Sequence, residues 1–291
     1  MHPPKTVGLI ANLTKKSAAS TARRLMERLG DAGIRVLPQS ELAASLGVEK
    51  AASEEAWMDA DLILCLGGDG TLLSVARAIS PREGPLLGLN LGGLGFLTAV
   101  PCEEVDELAD AVIAGRYVLE NRHFLRVVLE YPEGSSAAIE GMNEIVIDEG
   151  THSRRALALR VSVDGTQLGP FTADGLIVAT PTGSTAYALS AGGPIIRPSV
   201  SAMVLTAICP HSLAVRPLVF GEDEEVVVES LLPDVAPKVT VDGQETLDVP
   251  HGTRIHIGRS PRSLQLAFLE GRPYYEILRS KLNWGGIPKD R

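Results

Sequence analysis

The tightest constraint on the fold is a short apolar run, Leu62-Ile63-Leu64-Cys65-Leu66, introduced by Asp61 and ending in Gly67-Gly68-Asp69-Gly70-Thr71. Apolar side chains at consecutive rather than alternate positions call for a strand covered on both faces, which is the habit of parallel sheets with helices above and below. Around this run, apolar segments alternate with amphipathic ones. Strands are expected at 7–10, 34–37 and 85–89, and helices at 17–29, 71–79 and 103–114, the last stopped by Gly115. The alternation predicts an α/β domain over residues 1–120 with a mostly parallel sheet.

After Arg116 the texture changes to β-branched segments separated by turn dipeptides such as Asp164-Gly165 and Asp242-Gly243. Strands are expected at 124–129, 144–147, 157–163, 175–179, 225–228, 238–241, 254–257 and 264–269, which makes 121–265 a β-rich domain. Residues 274–282 return to helical spacing, so the tail 266–291 is expected to pack back on the first domain.

A net charge of -9 argues against sequence-independent binding of nucleic acid, which relies on clustered Lys and Arg. It leaves room for small phosphorylated ligands, given a local remedy for repulsion such as a divalent cation, backbone amides or a helix N-terminus. The longest charge-free run, Gly175 to Ile196, is too rich in Gly, Pro, Ser and Thr for a membrane span. Met1-His2-Pro3-Pro4 leads directly into the first strand, so no leader and a cytoplasmic location are expected. Cys65, Cys102 and Cys209 are odd in number and far apart, and read as free thiols.

The Gly67–Thr71 turn lies where open α/β sheets place ligands, at the carboxyl end of a strand and the start of a helix. Its glycines let amides approach an anion, but Asp69 would repel a phosphate unless it binds a cation or accepts a proton from an attacking hydroxyl. The alternative is a structural Asp-Gly turn with a cap at Thr71. The turn is neither a P-loop, lacking Gly-Lys-Ser/Thr, nor a Rossmann fingerprint, lacking the third glycine.

A second glycine-rich loop, Asn90-Leu91-Gly92-Gly93-Leu94-Gly95-Phe96-Leu97, follows the next strand and is placed to face the first. Asn143-Glu144 sets an amide and a carboxylate at a strand mouth, suited to purine and ribose hydroxyls or to plain solvation. Asp174 through Tyr187 concentrates hydroxyls and carboxylates in one connection beside an aromatic ring, which suits a ligand with sugar and adenine parts or a well-capped turn. Gly183-Ser184-Thr185-Ala186 breaks the serine-hydrolase elbow. His152 and His211 are left unassigned.

Taken in order, these motifs resemble the NAD kinase family, together with Ala191-Gly192-Gly193-Pro194, Cys209-Pro210-His211-Ser212-Leu213, Arg216-Pro217, Val239–Gln244 and Arg279–Gly285. The first turn is shared with diacylglycerol and sphingosine kinases, whereas Thr180 to Pro194 is specific to the NAD kinases. The resemblance implies the NAD kinase/diacylglycerol kinase-like fold, with NAD held between the two domains and with homodimers or homotetramers. It implies transfer of a phosphoryl group from ATP to the 2′-hydroxyl of the adenosine ribose of NAD, with Asp69 as general base and a divalent metal such as magnesium. Gly68, Gly70 and Thr71 would hold triphosphate and metal. Asn143 and Glu144 would grip NAD, and Asp174, Thr182, Thr185, Ala186, Tyr187 and Ser190 would line its adenine, ribose and nicotinamide contacts. Phe96 and Gln244 match further lining positions, and Arg154 a positively charged one. The rivals are a lipid or sphingoid-base kinase, and a dinucleotide sensor that has lost transfer.

Overall fold

The structure, a computed structural model, describes residues 2–48, 53–79, 84–149, 156–233, 235–272 and 274–284. The chain divides into two compact units, Met1–Asn121 with Leu264–Arg291, and Arg122–Ser263. The first unit runs β1 (Thr6–Ala11), α1 (Ala18–Asp31), β2 (Arg35–Pro38), α2 (Ser40–Leu46), α3 (Glu54–Met58), β3 (Leu62–Gly67), α4 (Asp69–Ile79), β4 (Leu86–Asn90), β5 (Val100–Pro101) and α5 (Val105–Ala114). Strands β2, β1, β3 and β4 lie side by side, all parallel.

Every residue of β3 is buried, which is why its sequence carries no polar alternation. Leu62, Leu64 and Leu66 share a core with Leu25 and Leu29 of α1 and with Leu108 and Val112 of α5. The buried residues of α1, Ala18, Thr21, Ala22, Leu25 and Leu29, recur at helical spacing along one stripe. Each such leucine contributes about 1.5–3 kcal/mol of transfer free energy, more than the helix draws from intrinsic propensity. Cys65 is wholly buried, and that burial pushes its thiol up to about 12.

From β1 the chain crosses to β2 on one side, while β3 flanks β1 on the other. The carboxyl ends of β1 and β3 therefore open a crevice at the topological switch point. Asn12, just after β1, and Gly68–Thr71, just after β3, meet there. At the opposite end of the same pair, Asp61 Oδ2 accepts from the amides of Lys5 and Thr6, both at 2.8 Å, and from Thr6 Oγ1 at 3.0 Å, and the Asp61 amide donates back to Thr6 Oγ1 at 3.0 Å. This clasp sits at the start of the register from Val7 opposite Leu62 to Ala11 opposite Leu66.

The remaining strands are β6 (Tyr117–Glu130), β7 (Ser136–Gly141), β8 (Glu144–Asp148), β9 (Leu157–Val163), β10 (Thr166–Ala173), β11 (Gly175–Ala179), β12 (Ala202–Ile208), β13 (Leu218–Gly221), β14 (Val226–Ser230), β15 (Lys238–Val241), β16 (Glu245–Asp248) and β17 (Arg254–Leu269), with the short helix α6 (Tyr187–Ser190) between β11 and β12. In the second unit β13, β12, β11, β8, β15 and β16 form a six-stranded antiparallel sheet, and β10, β9, β14 and β17 form an antiparallel run. Ile145, Ile147, Leu176 and Val178 share a core with Val161, Val226, Val228 and Ile255. The final helix, α7 (Tyr274–Leu282), belongs to the first unit.

The fold class is the expected one, an α/β unit with a parallel sheet and a β-rich unit. Strands at 157–163, 175–179 and 238–241 fall on the expected bounds. Sequence reasoning splits β17 in two at Gly258–Ser263, yet the strand is continuous through residue 269. It also passes over β7, β10, β12, β13, β16 and the short helices α2 and α3.

Asp61→Ala is expected to cost about 1–2 kcal/mol at pH 7, the range for a few partly exposed hydrogen bonds. Burial raises the Asp61 carboxyl, but the hydrogen bonds from Thr6 and Lys5 outweigh it and hold the pKa below its usual 3.8. Its stabilisation is therefore present above the unfolded-state pKa and lost as pH falls through the folded one. Denaturant midpoints of the two proteins should differ at pH 7 and converge below 3.8.

Candidate active site

Asp69 is the first residue of α4, and its carboxylate is gripped by the loop after β4. Oδ1 accepts from the amides of Leu97 (3.1 Å) and Thr98 (2.9 Å) and from Thr98 Oγ1 (2.8 Å). Oδ2 accepts from the amide of Phe96 at 2.8 Å. The two oxygens are therefore unequal: Oδ1 is crowded by three donors, while Oδ2 has one and keeps lone-pair capacity. Thr98 is fully buried, and its hydroxyl also receives a hydrogen bond from Asn90 Nδ2 at 2.7 Å, while Asn90 Oδ1 accepts from the Gly92 amide at 2.6 Å. Gly95 makes this approach possible, since a Cβ there would stand 2.0 Å from Asp69 Oδ1 and 2.5 Å from Thr98 Oγ1.

Beside the turn lies a cleft of about 590 Å³ lined by Asn12, Lys15, Gln39, Gly68, Gly70 and Thr71, among others. Asn12 Nδ2 donates to Thr71 Oγ1 at 3.2 Å, tying the end of β1 to the start of α4. Lys15 and the helix N-terminus supply positive potential at this wall, which suits a phosphate chain.

In the second unit another carboxylate does a similar job. Asp242, left-handed at φ 51°, accepts from three successive amides, those of Met142 (2.9 Å), Asn143 (2.8 Å) and Glu144 (3.2 Å). Those bonds fix the mouth of β8. Facing it, the turn after β11 is closed by its own hydroxyls. Thr180 Oγ1 donates to the Met142 carbonyl at 2.7 Å and accepts from the Gly183 amide at 3.0 Å. Ser184 Oγ donates to the Pro181 carbonyl at 2.7 Å and accepts from the Ile196 amide at 2.9 Å. Gly183 lets the two segments touch, because a Cβ there would lie 2.0 Å from the Asn143 carbonyl oxygen.

Asn143 and Glu144 are nearly buried, yet Asn143 Oδ1 and Glu144 Oε2 have no hydrogen-bond partner. Two buried acceptors left open cost free energy that a ligand with donor groups would recover. Burial, and then the charge of Asp242, raise the Glu144 carboxyl to about 7 against the opposing hydrogen bond from the Tyr187 amide.

The structure thus brings Gly68, Asp69, Gly70, Thr71 and Phe96 together in the first unit, and Asn143, Glu144, Thr182, Thr185, Ala186 and Tyr187 in the second, with Ser190 exposed at the end of α6. Not all the hydroxyls of the 174–187 connection face a ligand. Those of Thr180 and Ser184 satisfy buried backbone, and Thr185 Oγ1 donates to the Thr182 carbonyl at 3.2 Å. Asp174 is exposed at the opposite end of β11 from Thr180, about 17–20 Å along the strand. Gln244 is exposed on the turn that carries Asp242, and Arg154 and His152 lie outside the described residues. Sequence reasoning missed Gly95, Thr98 and Asp242 as organisers of the site. The Asn90–Leu97 loop and the Val-Asp-Gly turn pointed to their neighbourhoods, but not to the bonds they make.

A Gly-Gly-Asp-Gly-Thr turn at the switch point of a parallel sheet, without a P-loop lysine, places the protein among the kinases that build their transfer site on that turn. Profiles of the ATP-NAD kinase N-terminal and C-terminal domains match residues 7–117 and 142–269. The chain belongs to the ATP-NAD kinase family. It is 41% identical over 285 residues to the NAD kinase of Moorella thermoacetica, covering 98% of this chain and 91% of that protein. It is 40% identical over 287 residues to the NAD kinase of Geotalea daltonii, covering 97% and 99%. Yeast NADH kinase complexed with NADH aligns with a TM-score of 0.87 at 26% identity, over 99% of this chain and 89% of that one. An NAD kinase from Archaeoglobus fulgidus in complex with ATP aligns with a TM-score of 0.73 at 25% identity, over 96% and 98%.

Glu144→Gln is expected to stabilise the fold above neutrality. The unfolded chain releases this proton from about pH 4.5 upward, while the folded chain keeps it to about 7, so stability falls as pH rises through that window. The penalty at pH 8 is on the order of 3 kcal/mol. Urea midpoints at pH 5 and pH 8 should show the variant gaining on the parent only at the higher pH.

Proposed function

We propose that this chain transfers the terminal phosphoryl group of ATP to the 2′-hydroxyl of the adenosine ribose of NAD, giving NADP and ADP. The observation that carries the mechanism is the asymmetry at Asp69, where three donors hold Oδ1 and one holds Oδ2. Oδ2 is the oxygen with capacity to take the ribose hydroxyl proton as that oxygen bonds to phosphorus and ADP leaves. Such a step asks the protein mainly for alignment, charge neutralisation and one proton acceptor. The clamp supplies alignment, since a carboxylate fixed by four hydrogen bonds spends little entropy in finding its acceptor.

On this reading the donor's phosphates lie in the cleft with Lys15, Gly68, Gly70 and Thr71. NAD is gripped by Asn143 Oδ1 and Glu144 Oε2, which take ligand hydroxyl or amino hydrogens. Thr182, Thr185, Ala186, Ser190 and the exposed ring of Tyr187 line it, with Gln244 and Arg154 as outer contacts. Among the described residues no group of three or more His, Cys, Asp or Glu is arranged to hold a metal. The Thr71 hydroxyl, which lines the cleft, fits a magnesium ion carried chiefly by phosphate oxygens and water, and leaves Asp69 Oδ2 to the proton. That ion would neutralise charge on the transferring group. Assembly as a homodimer or homotetramer and a cytoplasmic setting belong to the same reading. The exposed apolar side chains Leu213, Leu218 and Val219 and the free thiols of Cys65, Cys102 and Cys209 support it.

The test is NADP formation by purified protein with ATP and magnesium, run beside diacylglycerol as an alternative acceptor. Asp69→Asn should lower turnover on the order of 10²–10⁴-fold with NAD affinity retained, and near-normal turnover would remove Asp69 from the role of base. Gly95→Ala should reduce turnover at least tenfold by displacing that carboxylate, while Gly93→Ala, where a Cβ meets nothing within 4 Å, should be neutral.

A further inference from the structure

The loop that clamps Asp69 is itself held at both ends by the last segment of the chain. Its three gripping amides belong to Phe96, Leu97 and Thr98. Two residues before Phe96 the Leu94 carbonyl accepts from Lys281 Nζ, and one residue after Thr98 the Ala99 carbonyl accepts from Arg272 Nη1 at 3.1 Å. Between these anchors the loop has one cross-link of its own, the Gly95 amide to the Thr98 carbonyl at 3.3 Å. The anchors are fixed in turn. Arg272 Nη2 pairs with Glu104 and lies 3.4 Å from Glu107, at the start of α5. Lys281 is on α7, which seats Ile277 and Leu278 in the interior.

The arrangement has a physical reason. Gly92, Gly93 and Gly95 give the loop many backbone states to lose, and Asp69 is placed only while three amides converge on it. A charged donor on each flanking carbonyl restricts peptide rotation at both ends, and hydrogen bonds to charged groups are the stronger kind. Among the described residues of the tail none hydrogen-bonds the Asp69 carboxylate, so the tail's influence passes through the loop.

We propose that Arg272 and Lys281 are positioning residues for phosphoryl transfer, a carboxyl-terminal clasp that keeps the Phe96–Thr98 amides on Asp69. The inference rests on the assignment of Asp69 to the transfer step. A clasp of this kind sets how often the carboxylate stands ready, so its loss lowers kcat and leaves binding of NAD, in the other unit's residues, unchanged.

The experiment compares Lys281→Met, Lys281→Arg and Arg272→Lys with the parent full-length protein. Lys281 is exposed, so removing its charge leaves folding intact. Expected is a fall in kcat of roughly 5- to 50-fold for Lys281→Met with KM for NAD within about twofold. Recovery of most of kcat is expected in Lys281→Arg, with an intermediate value in Arg272→Lys, whose shorter donor reaches the carbonyl less well. Amide hydrogen exchange at Phe96, Leu97 and Thr98 should quicken in Lys281→Met. A parental kcat in Lys281→Met, whether or not exchange quickens, overturns the proposal, as does a parallel change in kcat and KM or a failure of arginine to rescue. Parental NADP formation and its loss in Asp69→Asn test the phosphoryl-transfer reading separately, so a failed clasp leaves that reading standing.

Discussion

The hold of three consecutive amides on one carboxylate is the interaction on which the rest of the first unit depends. A helix that opens with an aspartate already has a favourable charge at its N-terminus. Here, however, the carboxylate turns to the neighbouring loop and binds the amides of Phe96, Leu97 and Thr98. The parallel sheet makes this geometry available. Because β3 and β4 run side by side with Gly67 opposite Asn90, their carboxyl-end loops emerge as neighbours. A glycine at 95 then removes the one atom that would keep them apart.

The second unit uses the same device for a different purpose. Asp242 collects the amides of Met142, Asn143 and Glu144, again three in a row, from the turn between β15 and β16. There the gripped segment is the one that presents polar groups, and the carboxylate brings its own negative charge close to Glu144. Burial first, and that charge after it, leave a glutamate that holds its proton to near neutrality. In one unit a clamp orients an acid that is itself the candidate reactive group. In the other, a clamp orients neighbours and tunes one of them electrostatically.

Much of this was legible in the residues, and the misses have definite causes. Strand β3 announced itself because burial on both faces forces a continuous apolar run. The break imposed on β17 came from Gly258-Arg259-Ser260-Pro261-Arg262, which looks like a loop. In the fold its polar side chains are absorbed by partners: Ser260 Oγ donates to Glu140, Arg262 pairs with Glu140 and stacks on Phe124, and Arg259 pairs with Glu222. Strand β10 was hidden by Gly169 and Pro170. It survives them because it is an edge strand with a bulge, where a missing donor costs little. Strand β12 carries a plain apolar signal in Ala202-Met203-Val204-Leu205, and nothing in the fold obscures it. At the site, Asp69, Asn143 and Glu144 stood out by residue type. Thr98 and Asp242 act through backbone amides distant in sequence, and composition gives no sign of such bonds.

The complete burial of Cys65 bears on the chemical durability of the turn it precedes. A thiol raised to about 12 holds almost no thiolate at physiological pH, and thiolate is the form that peroxides and alkylating reagents attack. The sulfur closest in sequence to Asp69 is therefore inert by electrostatics as well as by steric shielding. Oxidants that reach the protein surface find no handle at the centre of its parallel sheet.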